Sequence, residues 1–332
     1  MIPGVLGGAD GPGRLERWGR PADTVPRAGW GPTVGVGLGA GAAAAGLGMG
    51  FPAMIMAPLL FAWLRIRCGV VGSLVGAGVG LGVGGVLGSG EAVTATIVWG
   101  LTGTILGWAS ARGWAARLSV ALASVPLVGL SAIQAALVSR VEIREAFLSE
   151  IEVAVARAVR VNSTLGTSPE DLARARDLAL RAAELLWVVT PAVGVVFAVA
   201  VSFVVYRLGQ WLFPRFGAAL RPVAPLRTWA VGERFAWVLA AGLALEVSRV
   251  EWASAAGHNV LVVVGLVYLV QGLAVLHHWL ETRRVPRLGQ ALVWIVGLVF
   301  LQPLSGLAAI ATGFLDTWVD FRRRLGPGRT RV

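Results

Sequence analysis

Two aspartates stand four residues apart in 314-FLDTWVDFRRRL-325, after a long apolar run and before three arginines. On a helix advancing 100° per residue, Gln302, Ser305, Ala309, Thr312, Asp316 and Asp320 fall within about an 80° arc. The last apolar segment therefore carries one polar, small stripe, and the aspartates continue it. An acid at membrane depth marks a functional site by default, because hydrocarbon does not solvate charge. A second stripe lies upstream, where Tyr268, Gln271 and His278 share a face, with Asn259 and His277 on the other side. Gln271 sits mid-segment and must face protein or a cavity. Tyr268, Gln271, His278, Gln302 and Asp316 are accordingly the candidate solute-facing residues. Asp320 precedes Arg323 and Arg324 by three and four residues, a spacing that suits a surface salt bridge better than chemistry. Trp318 and Phe321 suit the interfacial aromatic belt.

Other chemistries fall away. His277 and His278 with Glu281 evoke metal ligands, but adjacent histidines point to different helix faces and no HExxH spacing occurs. The lone Cys68 excludes an intramolecular disulfide and a CxxC site. All 29 basic residues are Arg, so a lysine base or Schiff base is excluded. Gly80, Gly82 and Gly85 match GxGxxG, yet that fingerprint needs a strand and a βαβ unit. No nucleophile elbow or P-loop is present. The expectation is a protein that is not an enzyme and uses no cofactor.

The elements that must position these residues are membrane helices. The chain is 56% hydrophobic and 14% charged, against about 25% charged in soluble domains. Apolar segments run over 33–49, 51–64, 70–89, 92–110, 117–138, 184–208, 235–251, 258–280 and 289–315. The fold class is all-α, a polytopic transmembrane helix bundle of eight to nine hydrophobic segments with an amphipathic two-helix insertion. The organisation reads as a disordered basic tail over 1–32, glycine-rich helices over 33–138, the insertion over 139–182, further helices over 183–321, and a basic tail over 322–332. The +11 net charge lies in the gaps between apolar runs. There it meets lipid headgroups rather than nucleic acid.

Arginine placement orients the chain. The tail, 65–69, 111–117, 207–234 and 281–287 carry the arginines, which puts them and the N-terminus in the cytoplasm of a cell (inner) membrane. Nine crossings would then place 322-RRRLGPGRTR-331 outside, against the same rule. Either one segment does not cross fully or the last turns back at Gln302-Pro303; eight effective crossings with both termini inside are expected.

The insertion carries seven Arg and seven acids. Its break is 162-NSTLGTSPED-171, where Ser168 can cap a helix and Pro169 suits the first helical position. It serves as a connector on the bilayer face or a lid over a cavity.

Gly72, Gly76, Gly80, Gly84 and Gly88 form a four-residue ladder that lets another helix approach closely. Gly39 and Ala43, with Gly35, repeat the device, and Gly37, Gly41 and Ala45 do so again. These faces are candidates for docking against each other or against another integral membrane subunit.

The runs 314-FLDTWVDFRRRL-325, 271-QGLAVLHHWL-280, 222-PVAPLRTWAVGERFAW-237 and 165-LGTSPEDL-172 resemble the YybS-like family of predicted bacterial membrane proteins of unknown function, over roughly 33–325. That family is similar in its N-terminal layout to the substrate-binding subunits of energy-coupling-factor vitamin transporters. Those subunits dock a shared transmembrane partner through small-residue motifs, a part that 39-GAGAAAAG-46 could play here. The resemblance implies a small-solute binding or transport subunit of unknown ligand; the alternative is a ligand-free structural or regulatory scaffold.

Overall fold

The computed structural model describes residues 51–86, 90–137, 140–300 and 302–325. Gly39 and Ala43 lie outside these residues, as does Gly88. The described residues are helical, with no strand among them, so the Gly80-Gly82-Gly85 match has no strand to follow. The helices are α1 (Phe51–Val86), α2 (Gly90–Ala111), α3 (Ala116–Leu137), α4 (Arg140–Thr164), α5 (Pro169–Leu212), α6 (Phe235–Glu246), α7 (Glu251–Thr282), α8 (Arg287–Ile295), α9 (Gln302–Val319) and α10 (Phe321–Leu325). Among the described residues four stretches are long and apolar enough to cross a membrane: Ile55–Val86, Ala92–Ala111, Pro169–Phe216 and Glu251–Thr282. Ala116–Leu130, Phe235–Glu246 and Leu304–Val319 are shorter apolar helices. The expected eight to nine segments are not matched helix for helix. Segments 51–64 and 70–89 are arms of one element, 289–315 is broken, and 33–49 is not described.

The chain divides into two compact units, Met1–Gln134 with Phe197–Val223, and Ala135–Val196 with Ala224–Val332. In the first, α1 is not a straight rod. Gly69 takes φ 69°, ψ −155°, a conformation open to glycine alone without strain. A Cβ on Gly76 would lie 3.2 Å from the Phe61 ring and 3.1 Å from Leu64. On one continuous helix, residues 61 and 76 would be about 22 Å apart, so the two arms are antiparallel.

The glycine ladder serves this hairpin and its neighbour. Gly72, Gly76, Gly80 and Gly84 are all buried. Gly76 meets the first arm, and Gly84 meets Ala92 and Val93 of α2. Helix α2 replies with Gly103 and Gly107, where a Cβ would overlap the Pro58 and Ala62 carbonyls. Close backbone approach through small residues substitutes for the hydrophobic drive that lipid removes. Phe61, Leu64, Leu106, Val205, Tyr206, Phe213 and Leu220 fill the core around this contact. The Tyr206 hydroxyl donates to the Arg221 carbonyl at 3.0 Å, and Arg67 Nη1 donates to the Gly217 carbonyl at 3.0 Å.

The second unit holds the polar stripes. Helix α4 and the start of α5 form an antiparallel pair, with Arg144 3.9 Å from Glu184 and the Phe147 and Trp187 rings 5.8 Å apart. The break falls at 165–168. Ser168 Oγ accepts the Asp171 N–H at 3.2 Å, and Pro169 opens α5, where its missing N–H costs nothing. Ser168→Ala is expected to destabilise the start of α5 by about 1 kcal/mol, read as faster amide exchange over 170–172, while Ser168→Gly costs only a few tenths. Helices α6 and α7 pair across a short turn, with His258 Nδ1 2.8 Å from Glu246 Oε2.

The last apolar run does not cross as one helix. A π-helical turn occupies Val296–Phe300, and Ser305 Oγ donates to the Gly297 carbonyl at 2.6 Å. Eight residues of straight helix would separate those groups by about 12 Å. The chain therefore reverses between Gly297 and Ser305. Helix α9 then runs in the same direction as α7: Ile310 lies beside Gly265, Gly313 beside Tyr268, and Asp316 beside Gln271. Both ends of 287–319 consequently lie at one end of this unit. A turn-back at Gln302-Pro303 is one of the two alternatives that the arginine count left open.

Candidate functional site

Helices α7 and α9 cross where neither has a side chain. A Cβ on Gly272 would overlap the Ala309 carbonyl, and one on Gly313 would overlap the Tyr268 carbonyl. This contact brings the two polar stripes together. Gln271 is 2% exposed and Asp316 5%, so both turn away from any lipid. They turn toward each other: Gln271 Nε2 donates to Asp316 Oδ2 at 3.0 Å.

Two further donors complete the carboxylate. Arg322 Nη2 reaches Asp316 Oδ2 at 2.6 Å, and the Phe321 N–H reaches Oδ1 at 2.9 Å. The far end of the Gln271 amide is also used, as Oε1 accepts the Val231 N–H at 3.2 Å. Arg322 Nη1 donates to the carbonyls of Arg227 at 3.1 Å and Trp229 at 2.5 Å. Together these bonds tie the end of α9 to α7 and to the 227–231 loop. Charge-assisted bonds to a buried carboxylate are the strong kind, and here protein groups supply all of them.

Asp320 makes this geometry possible. It takes φ 47°, a left-handed conformation that Asp tolerates better than most residues. Its N–H closes α9 on the Asp316 carbonyl at 3.1 Å, and its Oδ1 accepts the Arg323 N–H at 3.3 Å to cap α10. On an unbroken helix residues 316 and 322 would point about 120° apart. The break re-aims Arg322 onto Asp316. The expected side-chain pairing of Asp320 with Arg323 and Arg324 thus gives way to capping, because Asp320 has left the helix that the spacing rule assumes.

The remaining candidates are placed as follows. Tyr268 is 1% exposed, its ring set edge-on between Phe235 and Phe314, with centroids at 5.9 and 5.4 Å. Its hydroxyl lies beside that of Thr317. The side chain of Gln302 is not among the described ones. His278 lines a depression of about 410 Å3 together with Arg227, Thr228, Glu281, Thr282 and Arg322. Its Nε2 is buried without a hydrogen-bond partner. Arg227 Nη1 meets Glu281 Oε2 at 3.0 Å, and His277 Nε2 lies 3.6 Å from Glu281 Oε1. Among the described residues no three of His, Cys, Asp and Glu gather as a metal set.

Sequence reasoning missed Arg322 as the partner of Asp316, and missed Gly272 and Gly313 as the crossing point. The second omission had a signal. Gly265 and Gly272 sit seven apart, and Gly306, Ala309 and Gly313 are spaced by three and four, the small-residue pattern already noted in 70–89.

A family model described as a predicted membrane protein (DUF2232) matches residues 48–317. The chain belongs to that family. The DUF2232 match covers the α1 hairpin and both polar stripes as far as Asp316, and it agrees with the four membrane-length helices among the described residues. It assigns no activity. No curated protein and no solved structure matches the chain.

Proposed function

We propose that this DUF2232 protein is a small-solute binding or transport subunit of the cell (inner) membrane, similar in plan to the substrate-binding components of energy-coupling-factor transporters. The observation that carries the reading is the reversed α8–α9 segment. Interrupted helices at membrane depth persist only where protein buries them or where they line a cavity. Transport folds place such half-helices at their binding sites. At the open end of this segment lies the depression walled by Arg227, His278, Glu281 and Arg322. Asp316 and Gln271 do not line it; they bond to each other, and Asp316 holds Arg322, which does line it. The depression suits a small polar solute. The arginines of its rim, with Arg283 and Arg284 beyond α7, support a cytoplasmic position for this end.

The test is native mass spectrometry of gently purified protein. Wild type should carry a small molecule that Arg227→Ala and His278→Ala remove. A bare wild-type spectrum, or a bound mass indifferent to both changes, defeats the reading.

One observation favours the scaffold reading. Gly78, Gly82 and Gly85 face open space, and Val79, Gly82, Val83 and Val86 line a shallow apolar groove there. That face suits a helix of another integral subunit. Co-purification of such a subunit without any small molecule would decide for the scaffold.

A further inference from the structure

Pro191 stands inside α5, within the apolar run 184–208. It has no N–H, so the Trp187 carbonyl loses its helical donor. One residue on, the ladder is also diverted. The Ala192 N–H donates to Asn259 Oδ1 of α7 at 2.8 Å. The Val188 carbonyl, which an unbroken helix would offer to Ala192, takes Asn259 Nδ2–H at 2.8 Å. The Asn259 amide thus bridges the donor and the acceptor of a single helical turn. Its Nδ2 also bonds the Ala255 carbonyl of its own helix at 2.8 Å. Thr190 Oγ1 donates back to the Leu186 carbonyl at 2.9 Å, a contact that accompanies helix bending.

We propose that Asn259 is a removable pin in a hinge of α5 at 187–192, and that its entry and withdrawal swing the α4–α5 hairpin against α7. The argument is one of hydrogen-bond exchange. In hydrocarbon each backbone group must keep a partner. When the amide is in place, Ala192 N–H and Val188 C=O bond to it; when it withdraws, they bond to each other. Asn259 Nδ2 keeps Ala255 in both states. Withdrawal leaves the Oδ1 acceptor and one Nδ2–H without partners but restores one backbone bond, so the two arrangements differ by a single hydrogen bond, a gap that a bistable element can span. A side chain inserted into the ladder beside a proline is a recognised source of bending. The arm from Ser168 to Ala192 is about 36 Å long. A change of about 20° in bend moves its tip by about 12 Å.

The experiment is pulsed electron–electron distance measurement on the full chain in lipid nanodiscs. Spin labels are placed at Thr167→Cys and Arg249→Cys, with Cys68→Ala as background. Wild type should show two distance populations. Asn259→Leu, which cannot bridge the turn, and Pro191→Ala, which restores the missing donor, should each leave one population, and the same one. A single wild-type population that neither change moves overturns the proposal. Should Asn259→Leu fail to fold, Pro191→Ala decides alone: collapse to one population supports the hinge, and a wild-type distribution refutes it.

Discussion

Asp316→Leu is expected to destabilise the protein by about 3–5 kcal/mol, the usual cost of removing one partner from a buried ion pair. The carboxylate is the common acceptor of the Gln271 amide, the Arg322 guanidinium and the Phe321 N–H. Without it the guanidinium, whose side chain is 13% exposed, keeps only the Arg227 and Trp229 carbonyls. The Gln271 Nε2 keeps nothing. Lost charge compensation, rather than lost packing, sets the size of the effect. The double variant Asp316→Leu with Arg322→Met should therefore be more stable than Asp316→Leu alone, because it removes the stranded charge as well. Thermal unfolding in detergent, compared across wild type, both single variants and the double, reads the coupling directly. Simple additivity of the two single effects would show that the pair does not hold the end of α9.

Gly272→Val is expected to separate α7 from α9 and to cost about 1–3 kcal/mol or more, the range for overpacked interiors. The obstacle is the Ala309 backbone carbonyl, which cannot swing aside as a side-chain tip would. Gly306→Val is the matched control. It lies on the same α9 helix with nothing within 4 Å of a new Cβ, so it carries the β-branched side chain without the clash. The Gly272 variant should lose protection from amide exchange over both 265–275 and 306–316, whereas the control leaves both unchanged. Equal effects at the two positions would mean that the crossing tolerates a wider separation than its geometry implies.

Much of this protein is legible without coordinates because its strongest signals are local. Long apolar runs demand helices that satisfy their own backbone, and among the described residues they are helical. The 162–171 break carries Gly166, the capping Ser168 and Pro169 in that order, and α4 ends and α5 begins around it. The inward turn of Gln271 and Asp316 follows from the cost of exposing an amide or an acid to lipid. The glycine row 72–84 announces close packing.

What the row packs against is another matter. Its spacing is satisfied equally by the segment 33–49, by a partner subunit or by its own first arm, and only the left-handed Gly69 selects the arm and α2. The partner of Asp316 was hidden for a related reason. Helical periodicity separates residues 316 and 322, and the rule holds only while the helix continues; Asp320 ends it.

By itself the amino-acid order determined the helical class, the break at 165–168, and which side chains cannot face hydrocarbon, since each depends on neighbours within a turn or two. Tertiary structure alone decided that 289–315 doubles back, that Arg322 closes over Asp316, and that Asn259 enters α5 at Pro191. Those outcomes depend on where helix axes cross: the crossing set by Gly272 and Gly313 joins groups 45 residues apart in the chain, and the contact of α5 with α7 joins groups 67 apart.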